Sequence, residues 1–306
     1  MSSAQSTPKM AVETSYTTAL RQERQKKYFA FHFWVTWGKE DFLAETEYIR
    51  YLHDNGGNVG NIIDSLQGNL VEEINCIGHA FFVVLFDKAK GKTFADNDYE
   101  YLKGVSITEY YFNCGKTLGR LHQLSKEYTP THKRCDFFDK FSVEYIDKLI
   151  PNSYSLLKMK MFDLLKALGN LSKDQETFGM VHFDFNDGNY FIDFNTGQIT
   201  VYDFDNSCFC WYLFDLASVW KNGTGWIQHE ENSDKRREFM DGYFKIVLDG
   251  YRSETVIDDS MLDNLPIFFK ANLVEGIVSH FECIRDGDND GIDEECRKSL
   301  QNRLYW

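Results

Sequence analysis

Three oxygen-bearing side chains stand at spacings that could support transfer of a phosphoryl group. His182, Asp184 and Asn189 form an H-x-D-x-x-x-x-N pattern, and Asp203 follows further along the chain. Such a transfer needs a carboxylate beside the attacking hydroxyl and hard oxygen ligands for a divalent cation such as Mg²⁺. Asp184 is therefore the candidate catalytic carboxylate, and Asn189 and Asp203 are the candidate metal ligands.

The chain between these groups predicts a β-hairpin that would bring them together. Apolar segments at Tyr190–Phe194 and Ile199–Phe204 flank the turn residues 195–197, Asn-Thr-Gly. The two strands of a hairpin are antiparallel, so the end of the second strand lies beside the start of the first. Asp203 would therefore lie beside Asn189. Asn, Asp and Gly are also ordinary loop residues, which would explain one motif alone. Two motifs joined by a predicted hairpin favour a functional site.

Two regions of different pattern surround this site. A polar stretch at 87–92, Asp-Lys-Ala-Lys-Gly-Lys, is a candidate hinge. The segments before this hinge predict three strands and one helix, at Tyr28–Val35, Glu40–Asp54 (the helix), Leu70–Ile74 and Ala80–Phe86. The later segments predict helices at Ser106–Tyr128, Phe138–Ile150, Ser153–Leu168, Asp215–Trp220, Lys235–Tyr251 and Pro266–Arg285. We expect an α+β protein with a flexible leader (1–24), a small strand-bearing N-terminal lobe (25–87) and a mainly helical C-terminal lobe (88–306).

Composition limits the possible partners and location. The 306 residues carry a formal net charge of −14, which disfavours nucleic acid as a partner and would suit a cationic substrate. The seven cysteines follow no disulfide or zinc spacing, which favours reduced thiols. The longest apolar run, Ala80–Phe86, is too short to span a bilayer, and the first residues do not read as a signal peptide. We expect a cytoplasmic protein without a membrane partner.

These motifs together resemble a known family. The His182–Asn189 pattern, the Asp203-x-Asp205 pair and the sequence Phe-Asp-Leu-Ala at 214–217 are similar to those of the aminoglycoside phosphotransferase and choline kinase superfamily. Residues 115–122 also resemble the helix that follows the hinge in that family. The resemblance implies a protein-kinase-like two-lobed fold, in which the C-terminal lobe contains the catalytic-loop hairpin, and a small-molecule kinase activity.

The resemblance also implies roles for individual residues. Asp184 would be the catalytic base or would position the acceptor hydroxyl, and Asn189 and Asp203 would hold magnesium. His182 and Asp215 would support the catalytic loop from beneath.

Further implied roles concern the nucleotide, which would be ATP or GTP. Glu45, in the first predicted helix, matches the acid that pairs with a nucleotide-binding lysine. The base would lie between the lobes against backbone groups of Leu85, Phe86 and Asp87, which end the last strand before the hinge. Asp205 would be a further supporting residue.

The nucleotide-binding half departs from the family pattern. No glycine precedes Gly38, so a glycine-rich loop over the phosphates is not expected. Few residues precede the strand Tyr28–Val35, which leaves little room for the hairpin that covers ATP in this family. This strand also lacks Lys and Arg; the nearest substitutes are Lys27, His32 and Lys39.

Two hypotheses follow for the function. One is a kinase for a hydroxyl of a small molecule, such as a cationic aminoglycoside or amino alcohol. The alternative is a pseudokinase-type binding protein of the same fold that lacks a complete nucleotide lid. Candidate substrate-lining residues are acidic or aromatic: Asp205, Trp211, Tyr212, Trp220, Glu230 and Glu231.

Overall fold

The structure is a computed structural model that describes residues 20–21, 27–32, 38–76 and 79–285. The strands are β1 Leu20–Arg21, β2 Lys27–His32, β3 Ile62–Ile63, β4 Glu72–Cys76, β5 His79–Asp87, β6 Phe178–Val181, β7 Tyr190–Asp193, β8 Gln198–Val201 and β9 Cys208–Trp211. The helices are α1 Lys39–Asp54, α2 Ile107–Glu127, α3 Phe137–Lys140, α4 Val143–Leu149, α5 Ser155–Gly169, α6 Tyr212–Trp226, α7 Ser233–Arg252, α8 Asp259–Leu262 and α9 Leu265–Arg285.

An antiparallel sheet forms the N-terminal lobe, as predicted. β5 pairs with β2 along one edge and with β4 and β3 along the other, and β1 pairs with β2. Helix α1 packs on this sheet through buried apolar residues such as Phe42, whose ring centroid lies 5.0 Å from that of Phe82. The predicted strand Leu70–Ile74 is displaced toward Cys76, because it forms where residues 72–76 find partners on β5.

The start of this lobe corrects one expectation. Leu20 lies opposite Phe29, and Arg21 lies opposite Tyr28, in antiparallel register. A short strand pair therefore precedes α1, and the expectation that there was little room for one was wrong. The connecting residues 22–26 lie outside the described residues, as do residues 33–37, where the predicted strand was to end, and most of the predicted leader.

The C-terminal lobe is built around α2, which packs closely against α7. The close approach depends on glycines at the crossing: a Cβ at Gly250 would lie 2.1 Å from the carbonyl oxygen of Phe112. The long predicted helices are confirmed here, except that Phe138–Ile150 is two helices. Ser142 starts the second one, because its Oγ accepts the Tyr145 N–H at 3.1 Å and caps α4.

Two small strand pairs carry the loops of the predicted site. The predicted hairpin is confirmed as β7 and β8, while the pair β6–β9 was not predicted, because each strand is a short apolar run. β8 also joins the lobes: Val201 donates its N–H to Asn58 and accepts the N–H of Gly60, both at 2.9 Å. Among the helices that the structure describes, none has the length and apolar character needed to cross a bilayer.

We expect Gly250→Ala to destabilise the protein by about 1–3 kcal/mol, because the new methyl group overpacks the contact between α2 and α7. Gly242→Ala, on the same helix, is the matched control, since a Cβ there has no atom within 4 Å. That change should stabilise by up to about 1 kcal/mol through helix propensity. Urea unfolding of both variants measures the difference, and equal effects would contradict this account of the packing.

Candidate active site

The carboxylate of Asp215 holds the catalytic loop in place. Asp215 lies in the first turn of α6 and is fully buried, with 0% of its surface exposed. Its two oxygens accept the backbone N–H groups of His182 and Phe183, each at 2.9 Å. Phe183 has φ of 75°, a left-handed conformation that is strained for a residue with a side chain. The two hydrogen bonds thus stabilise a turn that the backbone alone disfavours.

His122 of α2 completes this buried network. Its Nε2 lies 3.2 Å from Asp215 Oδ2, and its Nδ1 lies 2.9 Å from the Tyr251 hydroxyl. Burial lowers the pKa of His122, so the ring is neutral at pH 7. Since a carboxylate only accepts, Nε2–H donates to Asp215 and Nδ1 accepts from Tyr251. Three helices, α2, α6 and α7, are therefore tied to the catalytic loop by one chain of hydrogen bonds.

Asp184 reaches solvent at the tip of this loop, with its carboxylate held on both sides. Asn186 Nδ2 donates to Oδ1 at 2.8 Å, and Asn189 Nδ2 donates to Oδ2 at 2.9 Å. The structure thus brings Asp184 and Asn189 together. The Asn189 amide nitrogen donates to Asp184, and the amide oxygen remains available as an acceptor.

His182 connects the catalytic loop to the segment that carries Asp203. Its ring is buried, and Nε2–H donates to the carbonyl of Tyr202 at 2.9 Å. The next residue, Asp203, has φ of 65°, which ends β8 and turns the chain away from the hairpin. The predicted strand therefore stops at Val201, before Phe204.

The electrostatics around Asp203 fit a divalent cation. Partial burial, then the carboxylates of Asp205 and Asp184, raise the pKa of Asp203 to about 7. A bound cation would offset this crowding of like charges. Within the described residues no cluster of three or more His, Cys, Asp or Glu could hold a metal alone. The donor set, carboxylate and amide oxygens, matches a Mg²⁺ that takes its remaining ligands from phosphates and water.

Glu45 faces the same carboxylates from α1. It is 4% exposed, and burial raises its pKa to about 8 although Arg134 acts in the opposite direction. Its Oε2 lies 4.0 Å from Arg134 Nη2 and has no hydrogen-bond partner among the described residues. The guanidinium beside this carboxyl belongs to an arginine that follows α2, and the pairing of Glu45 with a nucleotide-binding lysine stays a prediction. Lys39, one expected substitute, lies at the surface 3.9 Å from Glu73; the side chains of Lys27 and His32 lie outside the description.

The three residues assigned to the nucleotide base lie at the end of β5. Phe86 and Leu85 are in register with Ile62 and Ile63 of β3, and Asp87 donates its N–H to the Asn61 carbonyl at 2.9 Å. That N–H is therefore already paired within the sheet. The contact of this segment with a nucleotide base stays a prediction.

Two of the three aromatic residues suggested for the substrate, Trp211 and Tyr212, are buried in the core. The third, Trp220, is partly exposed, and its ring centroid lies 4.4 Å from that of Phe269. Glu275 of α9, which sequence reasoning missed, is affected by the charge of Asp184, the candidate catalytic carboxylate. Desolvation and then the charge of Asp184 raise its pKa, while Lys221 and Lys140 oppose this.

Sequence reasoning also missed Arg134 and Asn186. Asn186 lies inside the recognised motif, and its place two residues after Asp184 was an available signal for a side-chain hydrogen bond. Arg134 and Glu275 offered no such signal, because they join the site only through the packing of distant segments.

The fold and this arrangement define a small-molecule kinase with a protein-kinase-like architecture. A family model described as the phosphotransferase enzyme family (APH) matches residues 15–253, and the chain belongs to that family. The hypothesis of an enzyme is therefore favoured over that of a binding protein, and the predicted fold class is confirmed.

Individual relatives agree with this assignment. Amicoumacin kinase of Bacillus subtilis (strain 168) is 25% identical over 244 residues, covering 77% of this chain and 68% of the relative. The structure of an amicoumacin kinase in complex with AMP-PNP, Ca²⁺ and Ami has a TM-score of 0.75 at 22% identity, over 94% of this chain and 86% of that one. A microcompartment-associated aminopropanol kinase has a TM-score of 0.62 at 19% identity, over 83% and 77% of the two chains. The two structures share the fold of this protein.

We expect Asp215→Asn to lower both stability and turnover. The amide nitrogen would face a backbone N–H, so one hydrogen bond is lost and one buried donor is left unpaired, at a cost of about 1–3 kcal/mol. The displaced loop should reduce kcat about 100-fold. Thermal unfolding and steady-state kinetics measure both. Asp193→Asn, at the far end of the hairpin, is the control, and a matching loss there would argue against a specific role of Asp215.

Proposed function

We propose that the protein transfers the γ-phosphoryl group of ATP or GTP, with Mg²⁺, to a hydroxyl of a small molecule that carries an amine. The observation that supports this proposal is the hydrogen bond from Asn189 to the Asp184 carboxylate at 2.9 Å, with Asp203 close enough for the charge of Asp184 to raise its pKa. The division of the chain at Asp87 into a nucleotide-side lobe (25–87) and a catalytic lobe (88–306) is part of the proposal.

In the proposed reaction, the acceptor oxygen attacks the γ-phosphorus and a new P–O bond forms. The bond between that phosphorus and the bridging oxygen breaks, and its electron pair leaves with the nucleoside diphosphate. Asp184 orients the acceptor hydroxyl and takes its proton. The amides of Asn186 and Asn189 keep the Asp184 carboxylate pointed at the acceptor, which removes the need to order it during the reaction.

Asn189 Oδ1 and the Asp203 carboxylate would hold the magnesium ion. When bound, the ion neutralises charge on the phosphates and helps to align the leaving oxygen. Asp205 is not needed as a ligand in this scheme. Its backbone supports the segment that carries Asp203, and its carboxylate adds to the negative field that attracts the cation.

The preference for an amine is supported by acidic residues and by the overall charge. The charge of Asp184 raises the pKa of Glu275, although Lys221 and Lys140 act in the opposite direction, and the chain as a whole carries a net charge of −14. An ammonium group beside Glu275 would gain a charge-assisted hydrogen bond. One relative, the aminopropanol kinase, has an amino alcohol in its name.

We also infer a cytoplasmic location, where nucleoside triphosphates are abundant and thiols stay reduced. The cysteines with described side chains carry free thiols, and three of them, Cys114, Cys208 and Cys210, are buried. The net negative charge disfavours a nucleic-acid partner.

The decisive experiment is a phosphorylation assay over a panel of aminoglycosides, amino alcohols and matched neutral alcohols, with ATP or GTP. We expect a Mg²⁺-dependent product that EDTA abolishes. Asp184→Asn should lower kcat by about 10²–10⁴-fold, because the variant keeps its size but cannot accept the proton. Unchanged melting would show that the fold is intact. Turnover of the variant near that of the wild-type protein would refute the role of Asp184.

We expect Glu275→Gln to raise KM for the amine substrate about tenfold, the effect of one lost charge-assisted contact. KM for the nucleotide should not change, since Glu275 lies on the acceptor side. Glu254→Gln is the matched control, because Glu254 pairs with Lys116 at 3.7 Å on α2, away from the site. If both variants keep the wild-type KM, Glu275 does not contact the acceptor.

A further inference from the structure

Arg134 is a buried cation that gathers the segment following Asp203. The residue is 4% exposed and lies between α2 and α3. Its Nε donates to the carbonyl of Ser207 at 2.7 Å, and its Nη2 donates to the carbonyls of Phe204, at 3.4 Å, and Asp205. One planar guanidinium thus contacts three carbonyls of a single short turn, a fork geometry that lysine does not have.

The same side chain reaches across to the N-terminal lobe. Arg134 Nη1 donates to the carbonyl of Asp41 in the first turn of α1 at 2.9 Å. Glu45, one turn further along α1, places its carboxyl oxygen 4.0 Å from Nη2. The position of the segment 204–207 is therefore linked through one residue to the position of α1.

The turn that Arg134 holds directly follows the candidate metal ligand. Asp203 is in the left-handed region, with φ of 65°. Such a residue keeps its position only if the surrounding structure imposes it. His182 holds the carbonyl on the N-terminal side, at Tyr202, and Arg134 holds the carbonyls on the C-terminal side.

We propose that Arg134 is a positioning residue for the metal–nucleotide complex, which it serves by fixing the backbone on which Asp203 lies and by coupling that backbone to α1. This inference rests on the proposed function, because it takes Asp203 as a metal ligand. Arg134 itself touches neither substrate nor metal. Its loss should weaken binding of the metal–nucleotide complex and leave recognition of the acceptor, on the side of Glu275, unchanged.

The test uses Arg134→Lys and Arg134→Gln in the full-length protein. Lys keeps the charge but not the fork, and Gln keeps a donor without the charge. Arg252→Lys is the matched control, because Arg252 also donates to a backbone carbonyl, that of Ile257 at 3.4 Å, outside the segments assigned to the metal and the nucleotide. Binding of Mn²⁺ with AMP-PNP is measured by electron paramagnetic resonance, together with melting temperature, and KM for the acceptor from the substrate panel.

Both Arg134 variants should bind Mn²⁺–AMP-PNP about 10- to 100-fold more weakly, the usual effect of losing support behind a metal ligand. KM for the acceptor should stay at its wild-type value, and Arg252→Lys should bind Mn²⁺–AMP-PNP as the wild-type protein does. Wild-type Mn²⁺ affinity in the Arg134 variants would overturn the inference while leaving the proposed function intact. So would a parallel loss of metal and acceptor binding, or a failure of both Arg134 variants to fold. Absence of Mn²⁺–AMP-PNP binding to the wild-type protein would overturn the proposed function and this inference together.

Discussion

The buried carboxylate of Asp215 is the interaction on which the site depends. A charge removed from water is tolerated only when its oxygens are hydrogen-bonded, and those of Asp215 accept from two loop amides and face His122. Removing one of these partners would leave the buried charge with fewer hydrogen bonds. The same bonds hold Phe183 in its left-handed conformation, and Asp184, the next residue, is exposed. The location of the candidate catalytic carboxylate is therefore a consequence of how a different carboxylate is buried.

The other acidic groups of the site lie close enough to repel one another. Asp184, Asp203 and Asp205 lie near one another, and the raised pKa of Asp203 records the resulting repulsion. The three carboxylates carry negative charge that a bound cation can neutralise. Ligand binding should therefore also stabilise the folded protein by mass action. Arg134 donates instead to backbone carbonyls on both sides of this group, those of Ser207, Asp41 and Phe204.

Most local features of the fold and of the candidate site could be predicted from the sequence. The H-x-D-x-x-x-x-N spacing and the hairpin around the Asn-Thr-Gly turn identified Asp184 and Asn189, which the structure brings to within hydrogen-bonding distance. Helices with a clear apolar stripe, such as α2, were found within one residue at each end. These features are encoded in neighbouring residues, where periodicity and turn chemistry act directly.

Most of the features that could not be predicted depend on contacts between segments far apart in the sequence. Arg134 acts on residues some seventy positions later in the chain, and its sequence neighbourhood resembles any polar loop. The strand pair β6–β9 exists because Phe178 and Trp211 meet across a long separation, not because either short run has a strong strand pattern. The break between α3 and α4 also escaped prediction, since one serine cap outweighed a continuous apolar pattern.

The nucleotide-binding half also depends on contacts between distant segments. The family pattern there relies on a glycine-rich loop and a strand cation, and neither is evident in the sequence. The structure shows that Glu45, the residue expected to pair with that cation, already has a buried arginine beside it. The guanidinium beside Glu45 is the same one that donates to the carbonyls of Asp41 in α1 and of Phe204 in the turn after Asp203. One buried side chain therefore joins α1 to the segment that follows the candidate metal ligand, through contacts between residues far apart in the sequence.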